Sequence, residues 1–336
     1  MKKFVAFISL LFFWGTASLQ AQVIFSQLHS SPTLINPALT GRFNTSYRVG
    51  GAYRRETAGR NQLFNKALFH ADAKLLRSAM PEKDGLAMGI SAFSERNGND
   101  GIRNTSGSVS IAYQKGLDEN GRQQIGIGFR ATYANRQLIK PDHVLEDRLL
   151  SWLNAGYSIY DISTLTHTRV AYADLDAGLV YQGLFDPENY FCIGASMYHI
   201  TAPRKIFQGG ELNIPRETRV HVDWERRGQN SRLLTGLLLN FKNATVSDLF
   251  LYSALKIGFS KIYGMYAGAG FRRSSLAGNA VVPLAGFSFP GFTLRLSYDI
   301  GVFNTNRVQR SSAELSLIYT HARSREELDD DRFIRF

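Results

Sequence analysis

Seven histidines, one cysteine and 28 acidic residues are the raw material for chemistry in this 336-residue chain. Two histidines are followed at the second position by an aspartate, in His70-x-Asp72 and His221-x-Asp223. A histidine steered by a carboxylate is half of a hydrolytic triad. In a strand both members of such a pair share one face, because side chains repeat every second residue. The nucleophile that would complete a triad is missing. The segment GFSFPG at 286–291 comes nearest to a Gly-x-Ser-x-Gly elbow and departs from it at the last glycine. Each pair therefore reads as a polar pair on a wet face. The remaining histidines (29, 143, 167, 199 and 321) have no ligand spacing, and no His-Glu-x-x-His occurs. Cys192 alone forms neither a disulfide framework nor a multi-cysteine metal site, and reads as a buried or lipid-facing thiol. GMYAGAG at 264–270 is glycine-rich but lies within a strand pattern, so it is not a phosphate loop. Asn97, Asn99 and Asp100 could bend around a calcium ion, but the downstream bidentate glutamate is absent and a polar turn is the reading adopted. No catalytic, cofactor-binding or metal-binding residue is assigned, and the chain is read as a non-enzyme.

The elements that carry these residues are strands. Hydrophobic residues make up 44 % and charged residues 20 %, which excludes both a disordered chain and a helical membrane protein. Alternation with period two runs through most of the sequence. Ile125, Ile127, Phe129, Ala131 and Tyr133 point one way, and Gln124, Gly126, Gly128, Arg130 and Thr132 the other. Val220, Val222 and Trp224 oppose Arg219, His221, Asp223 and Glu225, and Leu294, Leu296 and Tyr298 oppose Thr293, Arg295, Ser297 and Asp299. Segments of about ten residues with one apolar and one polar face match strands that cross a membrane, whereas soluble strands are nearer five or six. In lipid such a sheet must close on itself.

About fourteen such segments are expected, an even number as in bacterial barrels: 47–56, 65–75, 85–94, 104–114, 123–134, 172–182, 190–200, 217–226, 232–242, 248–258, 262–272, 280–288, 292–301 and 312–321. The ninth alternates poorly, with Leu234 and Leu238 on the polar face. Either the lumen is plugged there or the register differs. The longest links, 135–171 and 201–216, are both odd-numbered, which places them on the outer side if both termini are periplasmic.

The start of the chain reads as a secretory leader. Lys2 and Lys3 precede an apolar run from Phe4 to Trp14, then Gly15, Thr16, Ala17 and Ser18, with cleavage expected after Ala21. The full chain carries 39 basic against 28 acidic residues, or +11, and loss of Lys2 and Lys3 leaves +9. On an exported chain this balance points to lipid head groups or a polar lumen rather than nucleic acid. The expected organisation is a signal peptide at 1–21, a periplasmic or lumenal segment at 22–46, an all-β transmembrane antiparallel β-barrel at 47–321, and a tail at 322–336.

After the leader the text runs FSQLHSSPTLINPALTGRFNTSYRVGGAYRRE. With its Ser26-Gln27, Asn36-Pro37-Ala38, Gly41 and Tyr53-Arg54, it resembles the opening of the PorP/SprF family of the type IX secretion system of Bacteroidota. YADLDAGLVYQ at 172–182, carrying Asp174, is similar to an internal strand of that family. LRLSYDIGVFN, carrying Tyr298 and Asp299, and then AELSLIYTH resemble its closing strands. Arg55-Glu56 stands where the family commonly has Gln-Trp, and the tail is an addition. The resemblance implies a barrel in the cell outer membrane of a Gram-negative bacterium, surrounded by outer-membrane lipid and using no cofactor. Its implied partners are type IX secretion components and a secreted protein with a C-terminal sorting domain, in some relatives a gliding adhesin. A passive channel for small solutes is the competing reading.

Overall fold

The computed structural model describes residues 25–321 except 44, 59–60, 76–80, 82–83, 98–101, 120–121, 139–168, 208–209, 260–262, 276–277 and 303–309. The expected leader, the tail, most of the 135–171 link and most of the Asn97–Gly101 turn lie outside the described residues.

Sixteen strands follow one another: β1 Tyr47–Ala58, β2 Asn61–Leu75, β3 Gly85–Asn97, β4 Ile102–Gly116, β5 Gln123–Leu138, β6 Arg169–Leu184, β7 Asn189–Tyr198, β8 Arg204–Phe207, β9 Gly210–Asn213, β10 Glu217–Arg227, β11 Ser231–Lys242, β12 Thr245–Gly258, β13 Gly264–Ser274, β14 Gly278–Phe289, β15 Phe292–Val302 and β16 Arg310–His321. Fourteen of them form one closed antiparallel barrel in which each pairs with its neighbours in chain order and β16 returns to β1. At that seam Tyr47 stands opposite His321 and Ala58 opposite Arg310. No described helix is long and apolar enough to cross a membrane, and the strands perform that role.

The fourteen expected segments correspond to these fourteen strands. The differences lie at the ends and in one link. β2 starts four residues before the expected 65, and β5 runs to Leu138. The added stretches, Asn61-Gln62-Leu63-Phe64 and Asn135-Arg136-Gln137-Leu138, do not alternate polar with apolar residues in the sequence. The 201–216 link, expected to be a loop, contains the small hairpin β8–β9. Its four-residue strands are too short for a period of two to register. In the β14–β15 ladder the pairing skips Val282 and Pro283, where proline has no N–H to give.

The barrel is apolar outside and charged inside. Ile90, Phe129, Leu179, Leu251 and Leu296 face outward and are exposed, while Arg54, His70, Asp176, Glu225, Asn240 and Glu314 face inward and are buried. Lipid takes the first set, and water or protein the second. Aromatic residues collect at the rim where β1 begins and β16 ends. Tyr319 lies 4.8 Å from Phe292 and 6.1 Å from Tyr47, and Tyr263 lies 6.5 Å from Phe289. Such a belt suits the boundary between lipid and water.

Candidate functional site

The lumen is occupied by the chain's own residues 25–46. This segment is built of three single-turn 3-10 helices, Leu28–Ser30, Pro32–Leu34 and Pro37–Leu39. Prolines at the first position of the second and third set φ and carry no N–H that would need a partner. Asn36 caps the third, its side-chain oxygen accepting from the Ala38 N–H at 2.9 Å. Its short turns satisfy part of the backbone internally, and groups left over, among them the N–H of Ser26, Gln27 and Gly41 and the carbonyls of Thr33, Leu34 and Ile35, bond to polar side chains of the barrel wall.

Asn36-Pro37-Ala38 sits on a floor of glycines. Asn36 Nδ2 donates to the Leu179 carbonyl on β6 at 2.9 Å and to the Ala195 carbonyl on β7 at 3.2 Å. A Cβ on Gly178 would lie 1.9 Å from Asn36 Oδ1, and one on Gly128 would lie 2.4 Å from the Ala38 nitrogen. These inward glycines leave the space that the triplet fills. Below it the wall holds successive carbonyls. Ser196 donates to Ile35 O at 2.8 Å, Arg130 donates to Thr33 O at 3.2 Å while its Nε binds Asp176 at 2.7 Å, and Arg219 donates to Leu34 O.

Gly41 turns the segment toward β1. Its φ is +69°, its N–H donates to Asp72 at 2.8 Å, and Arg48 grips the same carboxylate at 2.6 and 2.9 Å. A Cβ here would lie 2.0 Å from the Ala87 Cβ. Gly41→Ala is expected to cost about 1–2 kcal/mol for the left-handed backbone and about 1–3 kcal/mol more for the overlap. Adding Ala87→Gly should recover only the second part. Urea unfolding in detergent measures both, and full recovery in the double variant would refute the backbone share.

The first residues of the segment enter a charged cluster. The Glu314 carboxylate accepts from the N–H groups of Ser26 at 2.7 Å and Gln27 at 2.9 Å. Asp299 accepts from the Ser26 hydroxyl at 2.7 Å and is paired with Arg54 at 2.8 Å and Arg272 at 3.0 Å. Arg54 also lies 3.3 Å from Glu314 and donates to Ser26 Oγ at 2.5 Å. Two cations and two anions, all buried, surround one serine.

A second network surrounds His29. Its ring meets the Tyr252 hydroxyl, which donates to Asp223 at 2.5 Å, and Asp223 lies 3.3 Å from His221. Burial pushes the His29 imidazole down to about 3, with Asp223 opposing and Arg295, Arg42 and His221 reinforcing, so the ring is neutral at ordinary pH. Arg42 donates to the Tyr190 hydroxyl at 2.6 Å. Burial alone would lower its guanidinium, and Cys192, Tyr190 and Asp223 outweigh that and raise it. Leu28, Ile35, Ala38 and Leu39 complete the contact, packing on Val180, Leu234, Leu238, Phe250 and Val282 of the wall. Leu234 and Leu238, irregular in the ninth expected strand, thus face inward and meet the plug. Beside His29, a cavity of about 50 Å³ remains between the segment and a wall that includes Glu225, Lys256 and Tyr266.

The residues singled out by resemblance fall into three groups. Asn36, Pro37, Ala38, Gly41, Arg54 and Asp299 all lie at the contact between plug and wall. Asp174 sits apart, bound to the His199 ring and to the Thr201 hydroxyl at 2.7 Å. Tyr53 and Tyr298 are each 47 % exposed on the outer surface. Sequence reasoning placed Asp72, Arg130 and Glu314 on polar strand faces but assigned neither them nor Arg272 a contact with the plug. The only available signal was a charge on the polar face of its strand, which many lumenal residues share.

A closed antiparallel barrel with a lipid-facing outer wall, an aromatic rim and a charged, plugged lumen defines an outer-membrane β-barrel protein. The chain belongs to the PorP/SprF family of type IX secretion system membrane proteins, whose pattern matches residues 17–319. It is accordingly a type IX secretion-associated barrel of the outer membrane. No curated protein matches it. Solved structures share the fold at low identity. They include the toluene transporter TbuX of Ralstonia pickettii (TM-score 0.51, 6 % identity, 87 % of this chain and 94 % of that one) and the monoaromatic hydrocarbon channel CymD (TM-score 0.52, 10 %, 90 % and 95 %). A Pseudomonas aeruginosa FadL homologue is a third (TM-score 0.50, 8 %, 87 % and 94 %).

Proposed function

We propose that this barrel is a non-enzymatic docking protein. It holds or passes a secreted cell-surface protein, such as a gliding adhesin, through that protein's C-terminal sorting domain. The observation that carries this reading is the filled lumen. Residues 25–46 are hydrogen-bonded from β1 round to β16, so the interior is occupied and the rims are the surfaces left for a partner. The end of β5, the start of β6 and the β8–β9 hairpin lie at the rim opposite the aromatic belt. In this reading that rim faces outward, and the leader is removed after Ala21, just ahead of the plug.

The test is a detergent pull-down of a tagged chromosomal copy from outer membranes. Recovery of a large exported protein bearing a sorting domain, lost when 139–168 is shortened in a barrel that still folds, supports docking. A clean barrel with no partner refutes it. The second reading, a passive channel, is favoured by the fold shared with hydrocarbon channels and by the cavity beside His29. Steady conductance of the native chain in planar bilayers would carry it, and silence would sink it.

A further inference from the structure

Cys192 on β7 stands directly opposite Asp223 on β10, and His221 precedes Asp223 by two residues on the same inward face. All three are buried, and a thiol sulfur, an imidazole nitrogen and a carboxylate oxygen lie within 4.8 Å of one another. The plug brings a fourth donor, with His29 Nε2 3.8 Å from Asp223 Oδ1. One sulfur, two imidazoles and one carboxylate form the donor set of a tetrahedral zinc-type site.

The surroundings agree with that chemistry. Tyr252 donates to Asp223 at 2.5 Å, and Asn36 Nδ2 lies 3.3 Å from His221 Nε2, so the donors are held by an outer ring of polar contacts. The charge also balances. Thiolate and carboxylate together neutralise a divalent cation, so the loaded site is neutral, one unit more positive than the thiol and carboxylate that stand beside Arg42 before the ion enters and the thiol proton leaves.

We propose that Cys192, His221 and Asp223 bind a divalent transition metal of the zinc class, and that His29 completes the site when the lumenal segment is seated. The metal then fastens plug to wall. Sequence spacing hides the site, because its donors come from two strands and a 3-10 turn of the plug that are far apart in the chain. The proposal is independent of the docking reading.

The test uses the full chain, purified in detergent with a histidine-free tag, stripped with a chelator and titrated with Co²⁺. A thiolate-to-cobalt charge-transfer band and tetrahedral visible bands saturating at about one ion per chain are expected. Cys192→Ser should abolish the charge-transfer band. His29→Ala should keep that band, lose the tetrahedral intensity and weaken binding about 10–100-fold. Heat-modifiable gel mobility certifies that each variant is folded. His221→Gln serves as the thiol-preserving control and should weaken binding as well. Absence of the thiolate band in the folded native chain, or equal cobalt uptake by the native chain and both strand variants, overturns the site.

Discussion

Replacing Gly178 by valine opens the lumen. The added Cβ would stand 1.9 Å from Asn36 Oδ1 and 3.1 Å from the Pro37 ring. The obstacle is a capped turn seated on backbone, so side-chain rotation alone gives no relief. Leaving the floor costs Asn36 its bonds to the Leu179 and Ala195 carbonyls. At about 1–2 kcal/mol for each lost bond, the seated state should weaken by about 10²-fold. The barrel itself tolerates the change, since valine suits a strand. In planar bilayers the variant should conduct where the native chain is silent, and a protease should gain access to residues 25–46. Gly107 on β4 has no atom within 4 Å of its Cβ position, so Gly107→Val is the matched control and should stay silent. Equal conductance and equal protease protection in native chain and Gly178→Val would sink the idea that the glycine floor seats the plug.

Arg54→Met is the second large effect. The side chain is 2 % exposed and contacts Asp299, Glu314 and Ser26 together. Its removal leaves Asp299 and Glu314 buried with Arg272 as the cation described beside Asp299, a loss in the range of about 3–5 kcal/mol. Adding Asp299→Asn removes one of the stranded charges and should return about half of it. That partial return is the signature of charge rather than packing. The neighbouring Arg55 is exposed, and Arg55→Met should stay within about 0.5 kcal/mol. Urea midpoints in detergent decide the matter. A loss under about 1 kcal/mol for Arg54→Met, or no recovery in the double variant, would count against the cluster as a structural centre.

The barrel was legible because lipid imposes a rule that any reader of the sequence can apply. Ile125 to Tyr133 alternates because one face must meet hydrocarbon and the other must not, and the same holds for 218–225 and 292–299. Strand number and order follow from that local pattern. What it leaves unread is anything set by contact across the lumen. Leu234 and Leu238 broke the alternation because they belong to a buried cluster with Leu28 and other plug residues rather than facing lipid or water. Arg54 and Asp299 entered through family resemblance, but that they meet over Ser26 depends on closing the sheet. His221-x-Asp223 reads as a polar pair and Cys192 as a lone thiol, and that the three meet depends on the pairing of β7 with β10. The β8–β9 hairpin was missed because four residues give a period of two too little length.

The cluster around Ser26 also has a place in time. Arg54 belongs to β1, Asp299 to β15 and Glu314 to β16, so it spans the one seam that joins the two ends of the barrel. Its bonds link residues up to 288 positions apart, whereas most strand pairs of the wall join neighbours in chain order. Pairings of such separation form after local ones, because the ends must first be gathered. The segment that fills the lumen lies just ahead of the first strand and is bonded to the last. Seating of the plug and closure of the cylinder therefore share residues, and a chain cut short before Glu314 is expected to lose contacts that belong to both.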